Sequence, residues 1–146
     1  EYGIEEVIAS ALEKEVALRG GGRISIEETR ACTAIDVDSG RDSGGGSLNR
    51  INEEAAYEIA RQIRLRNLSG KIVIDFAGHS EYKYIKPLLE ILEQELAKDS
   101  IKSHVAGLSR AGLVEIIRVR RRPTLQDLMS DPCHTCNGTG RVEKGA

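Results

Sequence analysis

The chain has 146 residues, 40% of them hydrophobic but only 3% aromatic, enough for one domain whose core is built from Ile, Leu, Val and Ala. A net charge of −2 argues against a nucleic-acid binder carried by bulk charge. No apolar run approaches the roughly 18 residues of a membrane span and no basic-then-apolar leader opens the chain, so a soluble, cytoplasmic protein with no membrane span is expected.

In chain order, Ile4, Val7, Ile8, Ala11, Leu12 and Val16 repeat at the spacing of one helical face and predict a helix over residues 4–18, ended by "RGGG". "RISIEETRACTAIDVDSG" alternates in short runs and predicts two strands around a turn at Glu27-Glu28, with Cys32 as a small buried residue of the second. "RDSGGGS" predicts a mobile loop that orders on ligand binding, and a helix over 52–66 follows with Asn52 as its N-cap. On that helix Arg61, Arg64 and Arg66 are read as structural, Arg61 pairing with Glu58 or Asp99.

"KIVIDF" is the continuous apolar run of a buried, parallel strand. A helix over 80–98 has Ser80 as candidate N-cap, and Pro87 predicts a kink or a late start. "IKSHVAGLS" and "LVEIIRVRR" predict two last strands, and "TLQDLM" a short helix. Helices that alternate with the central strands predict an α/β fold with a mixed sheet and flanking helices.

Charge is uneven along the chain. Residues 1–75 carry ten Lys and Arg against fourteen Asp and Glu, residues 76–146 eleven against nine. The acidic half suits a metal and the basic half an anion. "AIDVDSGR" and "IVIDFAG" each end an apolar strand in aspartate, a poor strand residue whose burial costs hydration unless something meets it. If the two strands are neighbours, Asp36 and Asp75 meet at one sheet edge with Asp38 on the same face as Asp36. Clustered carboxylates of this kind bind Mg²⁺ or Mn²⁺, the alternative being that each caps a turn. Arg41, next to the first pair in a glycine turn, is the best candidate for a phosphate contact. "RVRRRP" brings Arg118 and Arg120 as further phosphate contacts, or as a solvated strand face.

The last motif is "DPCHTCNGTGRV", in which Cys133 and Cys136 form a CxxC knuckle that supplies two of the four ligands of a tetrahedral zinc. A thioredoxin-like redox pair would lie near the start of a chain, between a strand and a helix, whereas this one lies at the far end in a glycine turn. His79, His104 and His134 are read as non-ligands, His134 as a fill-in residue of the knuckle. The chain opens at Glu1 and runs straight into a helical pattern, so a piece of a longer protein is expected.

"TAIDVDSGR", "NEEAAYEIARQIRLRNLSGKIVIDF", "SRAGLVEIIRVRRRPTL" and "CHTCNGTG" together resemble, in register over nearly the whole chain, the catalytic core of the ribonuclease E/G family. The string from Asn52 to Phe76 is the specific part. DnaJ-type chaperones also carry CxxCxGxG, but they build two zinc sites from four knuckles and this chain has one. The resemblance implies a deoxyribonuclease I-like subdomain over 1–125 and a zinc-link segment over 126–146. It implies Mg²⁺ on Asp36 and Asp75, and cleavage of single-stranded RNA to 5′-phosphate and 3′-hydroxyl ends in RNA processing and decay. It further implies a homodimer closed by one zinc that Cys133 and Cys136 share with the same pair of a second protomer, and Lys102 as a basic residue that helps hold a 5′-monophosphate.

The chain departs from the family pattern in two places. Asp38 stands where the family most often has asparagine, and Ala77-Gly78 stand where an apolar residue and a second acid usually follow. The OB-type RNA-binding domain and 5′-end sensor that precede this region in full-length members are not among these residues. Two functions follow: a metal-dependent endoribonuclease or its catalytic subdomain, or a catalytically inactive or regulatory RNA-binding and dimerisation module of the same fold.

Overall fold

The computed structural model describes residues 3–41, 45–78 and 81–145. Six strands form one mixed sheet in the order β1-β2-β3-β4-β6-β5, with β1 at Glu15–Ala17, β2 at Arg23–Glu28, β3 at Thr33–Asp38, β4 at Gly70–Asp75, β5 at Ser103–Leu108 and β6 at Val114–Arg118. Only β3 and β4 run parallel; every other neighbouring pair is antiparallel. Helices α1 (Ile4–Leu12), α2 (Gly45–Leu65), α3 (Tyr82–Ala97) and α4 (Leu125–Met129) complete the described elements.

Strict alternation makes the sheet two-faced. Ile24, Ile26, Ile35, Val37, Ile72, Ile74, Val114 and Ile116 are buried on the face that α2 and α3 cover, against Ile51, Ala55, Ile59, Ile63, Ile85, Leu88 and Leu92. The opposite face carries Ala34, Asp36, Lys71, Asp75, Glu115 and Ile117, all exposed. Two parallel strands need a crossover between them, and α2 supplies it. This is the mixed α/β sheet with flanking helices that the sequence predicts.

Several boundaries differ from the sequence reading. The first helix stops at Leu12, where Glu13 is already extended (φ −72°, ψ 141°), and Glu15–Ala17 pair instead with Ser25 through Arg23. The strand edge of β2 offers backbone partners that outweigh a helical pattern too short to stand alone. The β2–β3 turn lies at Thr29–Cys32 rather than Glu27-Glu28, with the Thr29 amide donating to the Cys32 carbonyl at 2.9 Å. Cys32 is therefore half-buried in a turn, not a core residue of β3.

Helix α2 begins at Gly45, seven residues before the expected start, because burial of Leu48 and Ile51 outweighs the poor helix propensity of its glycines. Asn52 is thus inside the helix and is no N-cap. The predicted mobile loop is cut short: Gly45–Ser47 are helical, and 42–44 lie outside the described residues. The N-cap of α3 is Glu81, Ser80 lying outside the described residues, and the helix runs from Tyr82 through Pro87 instead of starting late. Both Lys83 and Pro87 are exposed, so the Lys83 carbonyl that loses its helical donor faces the solvent side.

One polar cluster ties the ends of these elements together. Arg118 is 2% exposed; its Nε donates to Asp99 at 2.9 Å, and its Nη1 to the Asn67 side chain and the Leu68 carbonyl, both at 2.8 Å. Asn67 closes α2 with φ 51°, and its own amide group donates to the carbonyls of Arg122 and Pro123. Removing one partner leaves the other charge buried and alone. Asp99→Ala is expected to lower stability by about 3–5 kcal/mol in urea unfolding; a loss under about 1 kcal/mol would show that the pair is not holding these ends together.

Candidate functional site

Parallel pairing sets the site. The β3–β4 register runs from Thr33 opposite Ile72 to Asp36 opposite Asp75, so the two strand-end aspartates are direct cross-strand neighbours. Both lie on the open face, since Ile35, Val37 and Ile74 take the core face, and Asp38 follows Asp36 on that same face. Loss of hydration raises the pKa of Asp36 above the usual carboxylate value, and repulsion from Asp75 and Asp38 raises it further. Asp36 is exposed by surface area, so the neighbouring carboxylates are the part of this shift that the geometry supports directly.

Asp38 is partly engaged elsewhere. Its Oδ1 accepts the Gly40 N–H at 2.8 Å, and its Oδ2 lies 3.6 Å from Arg23 Nε, while Arg23 also donates to Glu15 at 3.2 Å. Among the described residues no group of three or more His, Cys, Asp or Glu is placed to hold a metal. The sheet end therefore offers two adjacent carboxylates, which fits a hard cation whose remaining positions go to water and phosphate and does not fit an all-protein cage. Arg41 is exposed just past the β3 turn, at this same end.

Two residues behind the pair were not read as functional from sequence. Asn52 is 6% exposed; its Nδ2 donates to the Ala77 carbonyl at 2.8 Å and its Oδ1 accepts the Ala77 amide at 3.0 Å. This two-way clamp fixes the chain two residues after Asp75. Gly78 (φ +79°) leaves room for Leu48, into which a Cβ there would project. A buried polar residue in the middle of an amphipathic helix was the available signal for Asn52.

The other basic candidates are not brought to the aspartates. In the antiparallel register Arg118 lies opposite Gly70 and Ser103, at the far end of the sheet from Asp75. Five residues of β4 separate the ends, roughly 17 Å. Lys102 and Arg120 flank that far end and are exposed, whereas Arg118 is the buried partner of Asp99. Neither phosphate-lining strand nor solvated face describes Arg118. Of the middle-helix cations, Arg61 pairs with Glu58 at 2.8 Å and not with Asp99, Arg64 donates to the Glu95 carbonyl at 2.7 Å, and Arg66 is 4% exposed.

At the C-terminal end, Thr124 caps α4 in a reciprocal pair with Asp127, and the knuckle follows. Cys133 is exposed and Cys136 half-buried. Backbone N–H groups of Cys136 and Thr135 lower the pKa of the Cys133 thiol, favouring the thiolate that binds metal. Gly138 and Gly140 take positive φ and let the turn close on Thr139, whose N–H and hydroxyl both donate to the Cys136 carbonyl. The half-site fits zinc by donor type, with two ligands present.

The raised pKa of Asp36 has a definite consequence for stability. A folded-state pKa above the unfolded one means that the folded chain binds more protons in the window between them, so stability falls as pH rises through that window and the penalty persists above it. Asp36→Asn is expected to raise Tm at pH 7 without divalent metal, with the gain shrinking as pH falls through the window just above the ordinary aspartate pKa and gone below it. Scanning calorimetry across pH checks this, and a gain independent of pH would contradict it.

The sequence pattern of the ribonuclease E/G family matches residues 1–121. Ribonuclease G of Escherichia coli (strain K12) is 40% identical over 146 residues, covering 97% of this chain and 30% of that relative, and ribonuclease G of Haemophilus influenzae matches to the same extent. Ribonuclease E of Escherichia coli (strain K12) is 41% identical over 145 residues, or 14% of its own length. The chain thus spans less than a third of these relatives, and the matched residues 1–121 of this chain contain Asp36 and Asp75. It belongs to the ribonuclease E/G family.

Proposed function

We propose that this chain is the deoxyribonuclease I-like catalytic subdomain, over residues 1–125, of an Mg²⁺-dependent endoribonuclease that cuts single-stranded RNA in RNA processing and decay. The observation that carries the reading is the placement of Asp36 directly opposite Asp75 on the open sheet face. Family membership and the ribonuclease names of the relatives supply the substrate class.

Asp36 and Asp75 would hold the metal, and Asp38 would add negative charge beside them. When bound there, Mg²⁺ supplies Lewis-acid polarisation of the scissile phosphate and neutralises charge that develops in the transition state. Asn52 fixes the backbone after Asp75, so the two carboxylates keep their register as RNA arrives. Arg41 grips the scissile phosphate, and Lys102 and Arg120 contact the strand farther along the sheet. Arg118 acts on RNA only through the strand end that it anchors. Breaking the bond between phosphorus and the 3′ oxygen, with water adding to phosphorus, leaves a 5′-phosphate on one product and a 3′-hydroxyl on the other.

Residues 126–146 would be a zinc-link. Cys133 and Cys136 provide half of a tetrahedral site, and the same pair of a second copy closes it across a homodimer. Elemental analysis is expected to give half a zinc per chain. Cys133→Ser with Cys136→Ser is expected to shift the protein toward monomer in sedimentation; one zinc per chain would exclude the shared site.

The cleavage reading is tested with a fluorescent single-stranded RNA and Mg²⁺. Asp36→Asn and Asp75→Asn are each expected to reduce cleavage by about 100-fold or more with the circular dichroism spectrum unchanged. Near-normal cleavage by both variants would sink the assignment.

A further inference from the structure

The far end of the sheet holds a second feature, of which the cleavage reading uses Arg120 alone. A cleft of about 600 Å³ opens between the β2–β3 turn, the start of β4 and α4. Arg30, Lys71 and Arg120 contribute to its lining, and among the described residues none of them forms an ion pair. Ser69 also lines it, is 8% exposed, and has a buried hydroxyl without a hydrogen-bond partner. We propose that this cleft is a phosphate-binding subsite, with the cations of Arg30, Lys71 and Arg120 and the hydroxyl of Ser69 as its donors.

The donor set suits a phosphate oxyanion. A guanidinium presents a planar fork to two phosphate oxygens, an ammonium adds a point charge, and a hydroxyl completes the oxygens that these leave free. A buried hydroxyl with no partner is unfavourable, and an oxyanion in the cleft would satisfy it. Gly70, with φ +76°, has no side chain between the Ser69 and Lys71 positions, and a Cβ there would come within 3.9 Å of Arg120 Nη2. Behind the cleft, the buried Arg66 has Nη2 unpartnered while its Nε donates to Gln62, so its charge adds to the field.

Two carboxylates share the lining, Glu28 and Asp127. Both are drawn to Thr124. The Asp127 carboxylate accepts the Thr124 N–H at 3.4 Å in the capping box, and the Thr124 hydroxyl, which accepts from the Asp127 amide, donates to Glu28. Burial pushes the Glu28 carboxyl above its usual range, while the Thr124 hydrogen bond and the charges of Arg66 and Arg120 favour the carboxylate. Among the described residues Arg30 and Lys71 form no ion pair, and Arg120 acts on Glu28 through charge alone, without an ion-pair contact.

The shared ligand chemistry is a phosphate group, whether in a polynucleotide backbone or free in solution. Its nearest strand residues, Thr33 and Lys71, lie three and four residues from Asp36 and Asp75, roughly 10–13 Å along the strands, so the cleft does not overlap their site.

The test needs neither Mg²⁺ nor cleavage, and its outcome is independent of the catalytic reading. Inorganic phosphate is titrated at constant ionic strength into ¹⁵N-labelled protein. Saturable shifts are expected at the amides of Ser69, Gly70, Lys71 and Arg120. Lys71→Gln with Arg120→Gln, both at exposed positions, is expected to weaken binding about tenfold or more. Ser69→Ala is expected to weaken it about threefold without lowering Tm, since it removes a hydroxyl that has no partner. A second arm uses a single-stranded oligoribonucleotide without terminal phosphates. Competition with inorganic phosphate and loss in the double variant identify a backbone phosphate as ligand, and oligonucleotide binding unaffected by either identifies free phosphate. Unsaturable shifts, or the same affinity in all variants, overturn the proposal.

Discussion

The pairing of β3 with β4 is the constraint on which the rest of the molecule depends. Among the described residues these are the only parallel neighbours in the sheet, and parallel strands bring equivalent ends together without a tight turn. The crossover this demands is α2, whose buried stripe from Leu48 to Ile63 covers the core face of the sheet. With Ile35 opposite Ile74, the period of two leaves no freedom for the next pair, and Asp36 must stand beside Asp75 on the other face. A slip of one residue in either strand would turn isoleucines to water and aspartates to the core. The hydrophobic effect thus enforces a like-charge contact that the carboxylates alone would avoid.

The opposite end of the sheet is organised by hydrogen bonds. Asn67, Arg118 and Asp99 come from the end of α2, the end of β6 and the segment after α3, and they satisfy one another in a buried cluster. Leu125 donates to the Arg66 carbonyl at 2.9 Å, which docks α4 onto the same corner. One end of the sheet is therefore open and acidic, while the other is tied down and rimmed by Arg30, Lys71, Lys102 and Arg120.

Much of this was legible in the sequence, for identifiable reasons. The strands around Ile35 and Ile74 announce themselves because each reads as an apolar run ended by aspartate, and the knuckle because two cysteines at that spacing serve few purposes. The reading failed where tertiary contacts decide. Glu15–Ala17 follow a helical pattern but take the free edge of β2, a partner that no local window contains. Asn52 looks like a cap because asparagine is a good one, yet its partner is Ala77, twenty-five residues away. Arg118 looks like a surface cation because arginines usually are, and it is buried because Asp99, Asn67 and the Leu68 carbonyl together replace its water. The sheet register, which periodicity does not give, decides that Lys102 and Arg120 stand far from Asp75.

The C-terminal segment obeys a different rule from the core. From Gln126 to Gly145 every residue is exposed except Cys136, which is half-buried. Such a stretch gains almost nothing from the hydrophobic effect, while ordering its backbone costs about 1–2 kcal/mol per residue. The capping box of α4 fixes a turn that Thr124 and Leu125 tie to Glu28 and Arg66, whereas the Thr139 bonds to Cys136 and Arg141 fix a second turn only locally. Metal ligation is the interaction strong enough to order a segment without a core, and it acts through the thiolate that the Cys133 turn already favours. Under the proposed shared zinc, the energy that orders the tail is also the energy that joins two copies, so the tail folds where the dimer forms, and the α/β core, whose burial is complete without it, stays folded in either state.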